Sequence, residues 1–281
     1  MKGGVADVGA AVRAFYEAAP FPDYDAFDTP QDLLDKARRG VYARLLDDAL
    51  PLGIRVVDVG CGTGQIGLFL SLTRRTVVGV DFSRASLTRG EAFRRRFDLR
   101  DVRFTQMDLF QPCLRPAFFD LVMSNGVLHH TPAPEQAFRG LCTLVKPGGH
   151  ILIGLYNPYG RLLNGLRRLV YRVTGRRLGR LMWPRPMEGA KERAWFLDQY
   201  AHPHEVSVSV DEVLAWFVRA GIEYVSSVPP ISPGTVVAKP EDLFRPRPAG
   251  TRLAHLFAQL GWVRTLSKEG GYFVTIGRKP A

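Results

Sequence analysis

The chain has 281 residues, of which 46% are hydrophobic and 23% are charged, a composition typical of a soluble globular protein with a large core. The three cysteines, Cys61, Cys113 and Cys142, form no CxxC pair, which argues against a zinc site or a disulfide framework and favours the cytoplasm. The first residues lack an apolar stretch and no apolar run approaches about 18 residues, so we expect neither a signal peptide nor a membrane span.

The net charge of +11 is concentrated in one segment. Residues 157–187 contain eight arginines and no Asp, Glu or Lys, and these arginines account for most of the excess charge. We expect them to face outward, because such a density of like charge cannot be buried without partners. An anionic partner, either a membrane or a nucleic acid, would therefore bind at this segment. The sequence leaves the oligomeric state open.

Helices are predicted before the first strand. Residues 8–20 favour a helix that ends near Pro20, and residues 31–49 favour an amphipathic helix with apolar side chains at helical spacing. We interpret residues 1–50 as an N-terminal helical lid segment.

From residue 55 onward, short apolar runs alternate with helical patterns. Strands are predicted at 55–59, 76–80, 102–107, 119–124, 150–156, 222–228 and 271–277. Helices are predicted at 65–72, 85–97, 134–144 and 210–220. This alternation predicts βαβ units and an α/β fold with a parallel sheet and helices on both faces. We assign residues 51–281 to one Rossmann-like domain with insertions at 157–209 and 229–268, the second containing a short helix near 251–260.

A glycine-rich turn follows the first predicted strand. Three alternating glycines, Gly60, Gly62 and Gly64, lie between this strand and the next helix. Glycine lets the backbone turn sharply and lets a ligand contact it, and open α/β sheets bind ligands at the carboxyl ends of their strands. The spacing is GxGxG rather than the GxGxxG of dinucleotide-binding loops. Asp58, beside the loop, would repel a pyrophosphate but suits a ligand that carries an ammonium group.

Two further acids follow the next strands. Asp81 ends the second strand, where a carboxylate can accept hydrogen bonds from both ribose hydroxyls. Asp108 lies between Met107 and Leu109 after the third strand, where an adenine amino group could be met between apolar walls. Taken singly, Asp58 could merely organise the loop and Asp81 could cap the following helix. The joint pattern at several strand ends favours a ligand site.

With these motifs, the chain resembles the class I, Rossmann-like S-adenosylmethionine-dependent methyltransferases. The matching pieces occur in that family's order and spacing at 58–64, Asp81, 107–108, 119–124 and 144–149. The resemblance implies a doubly wound, mostly parallel, seven-stranded sheet in which residues 271–277 form the antiparallel seventh strand.

The same resemblance implies S-adenosylmethionine as cofactor. Its methionine part would lie at the loop from Gly60 to Gly64, which includes Cys61, its ribose at Asp81 and its adenine at Asp108. The remaining candidate cofactor-binding residues are Tyr16, Asp58, Phe82, Met107, Leu109 and Asn125.

The loop 125–132 leaves the fourth strand, where cofactor and methyl acceptor would meet. It differs from the Asn-Pro-Pro-Tyr loop of many nucleic-acid amino methyltransferases, and it lacks the cysteine that cytosine C5 methylation uses. It looks like the Leu-His-His loop common in small-molecule methyltransferases. His129, slightly ahead of His130, is a candidate general base because imidazole titrates near neutral pH. The alternative is that one histidine merely packs or hydrogen-bonds within the loop.

Two other segments have alternative interpretations. The aromatic stretch 15–24 resembles segments that cover the cofactor in related enzymes, with Tyr16 reaching the methionine carboxylate, but it could equally be a helix packed on the core. Residues 198–205 contain two histidines and two acids. We expect no metal there, because His202 and His204 flank a proline and no third ligand is convincing.

These patterns favour S-adenosylmethionine-dependent methyl transfer to a small-molecule acceptor by in-line displacement. An RNA or tRNA methyltransferase is the first alternative, with the arginines as its electrostatic footprint. A peripheral membrane enzyme acting on a lipid or quinone is the second, because leucines and valines interleave with those arginines as in a helix that lies on a surface.

Overall fold

The computed structural model describes residues 5–18, 20, 29–174, 202–233, 235, 237, 239–266 and 271–281. The helices in these ranges are α1 (Val5–Ala18), α2 (Pro30–Arg39), α3 (Val41–Ala49), α4 (Gln65–Leu72), α5 (Arg84–Arg96), α6 (Pro134–Leu144), α7 (Pro158–Thr174), α8 (Val210–Arg219) and α9 (Arg252–Thr265). The strands are β1 (Arg55–Val59), β2 (Thr76–Asp81), β3 (Val102–Gln106), β4 (Phe119–Asn125), β5 (Val145–Tyr156), β6 (Glu223–Val228) and β7 (Tyr272–Arg278). Short 3₁₀ turns span Leu128–His130 and Pro240–Asp242.

The seven strands form one sheet in the order β3-β2-β1-β4-β5-β7-β6. Strands β1 to β5 pair in parallel, whereas β7 runs antiparallel between β5 and β6. This confirms the predicted mostly parallel, doubly wound sheet and its antiparallel last strand. The strand order reverses between β1 and β4, so the carboxyl ends of these two strands flank the crevice in which such folds bind ligands.

Two hydrophobic cores cover the two faces of the sheet. Successive residues of β1 illustrate this, because Val56 packs in one core and Val57 in the other, as the two-residue repeat of a strand requires. Helices α2, α3, α4 and α5 cover the face of Val56, whereas α6, α8 and α9 cover the face of Val57. Burial on both faces explains why the strands are short, continuous apolar runs.

The predicted helix 31–49 is in fact two helices. Gly40 has an extended backbone and separates α2 from α3. At the start of α2, the Thr29 side chain accepts a hydrogen bond from the Asp32 backbone and the Asp32 side chain accepts one in return, a capping box. The apolar spacing continues across Gly40, so periodicity alone did not reveal the break.

Strand β5 begins at Val145, before the predicted start at residue 150. Phe119 of β4 pairs with Val145 and Leu121 pairs with His150, so residues 146–149 bulge out of the ladder. Gly148, with φ of +74°, gives this bulge its sharp bend. The strand predicted at 150–156 is thus longer than expected and contains a bulge.

Residues after β5 bring additional structure to the carboxyl edge of the sheet. Residues 202–209 lie beside the site, with the Val206 amide donating to the His129 carbonyl and the Val208 amide to the Tyr156 carbonyl, each at 2.9 Å. Ser209 caps α8 in a capping box with Glu212. Among the described residues, no helix combines the length and hydropathy needed to cross a bilayer. The division into a lid and a domain with two insertions stays a prediction.

Candidate active site

The glycine loop turns the chain from β1 into α4. Gly60, Gly62 and Gly64 all have positive φ, at +74°, +56° and +80°, which other residues rarely adopt. Space is equally restrictive, because a Cβ at Gly60 would lie 2.3 Å from a methyl of Val127. The loop thus requires glycine for its backbone and for the close approach of the loop after β4.

Asp81 is fixed by the loop it faces. Its carboxylate accepts hydrogen bonds from the Gly62 and Ser83 amides, each at 2.8 Å. Burial raises its pKa, while these backbone hydrogen bonds lower it and thus oppose that shift. The helix cap itself is Ser83, whose side chain accepts from the Ser86 amide. Asp81 is therefore held in position beside the loop rather than used as the N-cap.

Asp58 lies beneath the glycine loop and is 4% exposed. Burial, followed by repulsion from the Asp81 carboxylate, raises its pKa to about 7. Two adjacent buried acids create a region of negative potential, which a positively charged group would relieve. This arrangement supports the expected ammonium-bearing ligand.

Helix α1 forms a wall of the site and is anchored by Glu17. The Glu17 carboxylate accepts hydrogen bonds from the Arg84 and Ala85 amides at 2.7 Å and 3.1 Å, at the N-terminus of α5. Those amides have no partner within the helix, and the positive end of the helix dipole favours an acid there. Tyr16 consequently lies between Phe82 and His130, with ring centroids 6.5 Å from each.

The wall across from the loop begins at Asn125, where β4 ends. Its side-chain oxygen accepts hydrogen bonds from the Tyr42 hydroxyl at 2.9 Å and the Tyr272 hydroxyl at 3.2 Å. Within the described part of the chain, its buried amide nitrogen has no hydrogen-bond partner. A buried donor without a partner is costly, so this NH₂ group suits an acceptor atom on a ligand.

The two loop histidines occupy different positions. His130 borders the cavity, whereas His129 is fully buried and packs on Tyr156 with ring centroids 4.3 Å apart. His130 Nδ1 is 3.0 Å from the His204 carbonyl, which can only accept, so His130 carries a proton on Nδ1. Its Nε2 then accepts from His129 Nε2, 3.1 Å away. The geometry therefore favours His130 over His129 as the residue that meets an acceptor.

One cavity of about 1350 Å³ brings most predicted site residues together. Those on its wall are Tyr16, Asp58, Gly60, Cys61, Gly62, Asp81, Phe82, Met107, Asp108, Leu109, Asn125 and His130. Gly64 and His129 lie behind the wall, because Gly64 packs against Phe104 and His129 is covered by Tyr156. Asp108 is exposed at the rim and its carboxylate accepts from the Phe110 amide at 2.9 Å.

Sequence reasoning missed three tyrosines near Asn125 and His130. Tyr156 lines the cavity, and Tyr42 and Tyr272 donate hydrogen bonds to Asn125. Tyr42, Tyr156 and Tyr272 come from three distant elements, and no local motif marks them. Glu17 offered a signal, since it is an acid within the aromatic stretch 15–24 and an acid can cap a helix elsewhere in the chain, but its partner α5 is distant in sequence.

One arginine of the basic segment corrects the expectation that all of them face outward. Arg161 is buried and forms two hydrogen bonds with the carboxylate of Glu205. Its guanidinium also lies 3.7 Å from the centre of the Tyr156 ring. Burial is possible because Glu205 neutralises the charge and the ring face is electron-rich. Residues 175–201, which contain the last four arginines of the basic segment and the start of the predicted 198–205 histidine motif, lie outside the described residues.

Taken together, the residues that line the cavity fit S-adenosylmethionine. The absence of side chains at the glycines permits close contact with the loop backbone, the Asp58–Asp81 pair suits an ammonium, and Asn125 Nδ2 is a buried donor that has no partner among the described residues. Among the described residues, no group of three or more His, Cys, Asp or Glu side chains is placed to hold a metal ion.

Comparisons with known proteins agree with this geometry. Residues 52–174 match a family described as a methyltransferase domain. A Synechococcus protein described as uncharacterized is 28% identical over 249 residues, 78% of this chain and 60% of its own length. A ubiquinone biosynthesis O-methyltransferase of Acinetobacter baumannii is 28% identical over 106 residues, 37% of this chain and 45% of that one. The chain thus spans less than two thirds of these relatives.

Solved structures share the fold at low sequence identity. An S-adenosylmethionine-dependent methyltransferase from Mesorhizobium loti superposes with a TM-score of 0.52 at 18% identity, over 88% of this chain and all of that one. Residues 52–174 thus match a methyltransferase domain, and the seven-stranded sheet and glycine loop give the chain the fold of the class I S-adenosylmethionine-dependent methyltransferases.

Proposed function

We propose that this chain transfers a methyl group from S-adenosylmethionine to a small-molecule acceptor bound in the same cavity. The observation that carries the proposal is the continuity of this cavity from the glycine loop and Asp81 to His130 and Tyr156. Its volume of about 1350 Å³ exceeds the roughly 300–1,000 Å³ of common ligand pockets, which leaves room for a second molecule beside a cofactor.

S-adenosylmethionine, when bound, supplies a methyl group on a sulfonium that a nucleophile can attack in line. Residues of the chain would hold it, with Asp58 opposite the ammonium, Asp81 on the ribose and Asp108 near the adenine. Asn125 would donate from Nδ2, in an orientation set by the two tyrosines on its oxygen. Such alignment of cofactor and acceptor can lower the activation free energy by about 7–11 kcal/mol.

The acceptor end of the cavity favours a small molecule with an apolar or aromatic body. Val127, Pro132 and Tyr156 line it, together with Val12 from α1, so the acceptor would be enclosed between α1 and the sheet. An enclosed pocket admits a small molecule more readily than an ordered RNA. The likeness to a ubiquinone biosynthesis O-methyltransferase supports the same class of acceptor.

His130 would act on an acceptor hydroxyl through its link to His129. A neutral His130 has its Nε2 lone pair directed at His129, so taking a proton there requires His129 to release that hydrogen bond. The buried His129 would thus set how readily His130 becomes a base. An acceptor that is already nucleophilic needs no such proton transfer.

Calorimetry with S-adenosylmethionine and S-adenosylhomocysteine tests the cofactor half of the proposal. We expect both to bind and Asp81→Ala to weaken both. A methyl-labelled cofactor with separate panels of phenols, amines and tRNA tests the acceptor half. Label in a small molecule is expected, whereas label found only in tRNA would overturn the proposed acceptor class in favour of the RNA alternative.

A further inference from the structure

Helices α7 and α9 pack side by side on the outside of the sheet, and each has its polarity inverted. In α7, Arg161 and Asn164 are buried, whereas Leu162, Leu169 and Val173 are exposed, Val173 to 77%. These exposed residues are seven and four positions apart, two turns and one turn of the helix, and so lie on one face. A helix that only covers a core shows the reverse, as in α8, where Val213, Trp216 and Phe217 are buried.

The same inversion occurs in α9. His255 and Gln259 are buried together with one apolar residue, Trp262, whereas Leu253, Phe257 and Leu260 are exposed, Phe257 to 65%. Leu256 is exposed on the same side. Two neighbouring helices therefore present apolar stripes to the surroundings, and contiguous exposed patches of this kind mark interaction surfaces. We call these exposed side chains the α7–α9 surface: Leu162, Leu163, Leu169, Val173, Leu253, Leu256, Phe257 and Leu260.

Hydrogen bonds hold α9 with its polar face inward. Gln259 accepts from the Asn157 side chain at 2.7 Å and from the Val210 amide at 3.0 Å. The ring nitrogens of His255 lie 2.8 Å from the Asp211 carboxylate and 2.7 Å from the Ala249 carbonyl. Rotating α9 to bury its apolar stripe would break these four contacts, so the outward stripe is built into the fold.

Charge identifies the kind of partner. Besides the buried Arg161, which is paired with Glu205, helices α7 and α9 contain five arginines and no acidic residue: Arg167, Arg168, Arg172, Arg252 and Arg264. The sequence directly after α7 adds four more arginines before the next acid at Glu188. A second copy docked on this surface would bring arginines against arginines with no carboxylate to neutralise them. An anionic bilayer instead accepts apolar side chains between its headgroups and attracts arginines to its surface.

We propose that the α7–α9 surface docks the protein on an anionic lipid bilayer. Leucine, valine and phenylalanine side chains insert at the boundary between headgroups and acyl chains, and the arginines contact lipid phosphates. The helices lie parallel to the membrane and do not span it. Because α7 leaves β5 directly after Tyr156, docking places the acceptor end of the cavity close to the lipid.

Flotation with lipid vesicles tests this docking without cofactor or acceptor, so its outcome is independent of the proposed methyl transfer. The wild-type chain should bind vesicles of phosphatidylglycerol and phosphatidylcholine, and should bind pure phosphatidylcholine much less. Raising the salt to about 1 M, where the Debye length is about 3 Å, should release most of it.

Matched variants separate insertion from charge. The double variant Leu169→Ser and Phe257→Ser should bind anionic vesicles at least about tenfold more weakly, since each substitution removes a large inserted side chain. The variant Leu52→Ser and Val218→Ser, at exposed positions outside the surface, should bind like wild type. Arg252→Gln should weaken binding at low salt more than at high salt.

Two results would overturn the proposal. One is equal vesicle binding by the two double variants at unchanged melting temperature. The other is a wild-type dimer, seen by analytical ultracentrifugation, that dissociates in the Leu169→Ser and Phe257→Ser variant, because the surface would then bind a second copy.

Discussion

The two walls of the cavity are built in different ways. The cofactor wall consists of strand ends that follow one another along the chain at 58–64, 81 and 107–109, and its contacts are largely to backbone amides. The acceptor wall contains Asn125 and Tyr156, with Tyr42 and Tyr272 holding Asn125 in place and residues 202–206 beside it. The first wall is set by local backbone geometry, whereas the second depends on side chains from distant parts of the chain. Variants of one wall should therefore leave the function of the other largely intact.

The largest expected effect is on the acceptor wall. If the acceptor is a hydroxyl, replacing both His129 and His130 by Asn should lower the single-turnover rate about 10²–10⁴-fold while cofactor affinity stays nearly unchanged. His130→Asn alone should cost more than His129→Asn, because only His130 borders the cavity. His150→Asn, earlier along β5, is the control. Full activity over the whole pH range in the double variant would show that these histidines only support the loop.

The next effect concerns Asp58. Its pKa is about 7 in the folded chain and about 3.9 in an unfolded one, so the folded protein binds more protons between these values. The contribution of Asp58 to stability is therefore most favourable below pH 4 and is lost as the pH rises through 7, by about 4 kcal/mol at most. Asp58→Asn should remove this dependence, as measured by urea unfolding across pH. An identical pH dependence in the variant would assign it to another group.

The raised pKa of Asp58 also predicts that a proton is released when the cofactor binds. An ammonium placed against the carboxylate lowers its pKa, so near pH 6 binding should release a fraction of a proton, which calorimetry in buffers of different ionisation enthalpy measures. Asp58→Asn should bind without this release.

On the cofactor wall, Asp81→Ala should weaken S-adenosylmethionine binding by about 1.5–3 kcal/mol, the usual cost of losing a hydrogen bond to a charged group. Asp98→Ala, at an exposed turn far from the cavity, is the matched control. Unchanged affinity in a folded Asp81→Ala protein, measured by calorimetry, would exclude this residue from the cofactor site.

A smaller effect, on the free energy of unfolding, should distinguish two glycines with nearly the same φ. Gly60 and Gly126 have φ of +74° and +75°, but a Cβ meets Val127 at 2.3 Å only at Gly60. Gly60→Ala should therefore be less stable than Gly126→Ala by about 1–3 kcal/mol, the cost of overpacking. Thermal unfolding of both variants measures the difference. Equal melting temperatures would show that Val127 moves away freely.

The smallest expected effect is on the anchor of α1. Glu17→Gln keeps the shape but removes the charge at the N-terminus of α5, which should cost about 0.3–1 kcal/mol and raise the cofactor dissociation constant up to about fivefold. Glu91→Gln is the matched control, because Glu91 lies on α5 itself, where it pairs with Arg94 and Arg95. Equal affinity in the two variants would mean that α1 closes the cavity without Glu17.

The sheet and the cofactor wall could be predicted because they depend on local patterns. Strand runs, glycines and the acids after them each follow from the backbone geometry of a βαβ unit. Helices α4 and α6 have the predicted bounds for the same reason. The boundary at Gly40 and the early start of β5 were missed, because hydrophobic periodicity does not register a single extended residue or a bulge.

Only the tertiary structure decided the rest, because it depends on contacts between residues far apart in the chain. The sequence around Asn125 does not indicate that Tyr42 and Tyr272 donate hydrogen bonds to its oxygen. The sequence around Arg161 likewise does not indicate that Glu205 pairs with it and permits its burial. Likewise, the periodicity of α7 and α9 shows that each is amphipathic but not which side faces the core. That choice follows from the buried hydrogen bonds of His255 and Gln259, which turn the polar sides inward and leave the apolar stripes exposed.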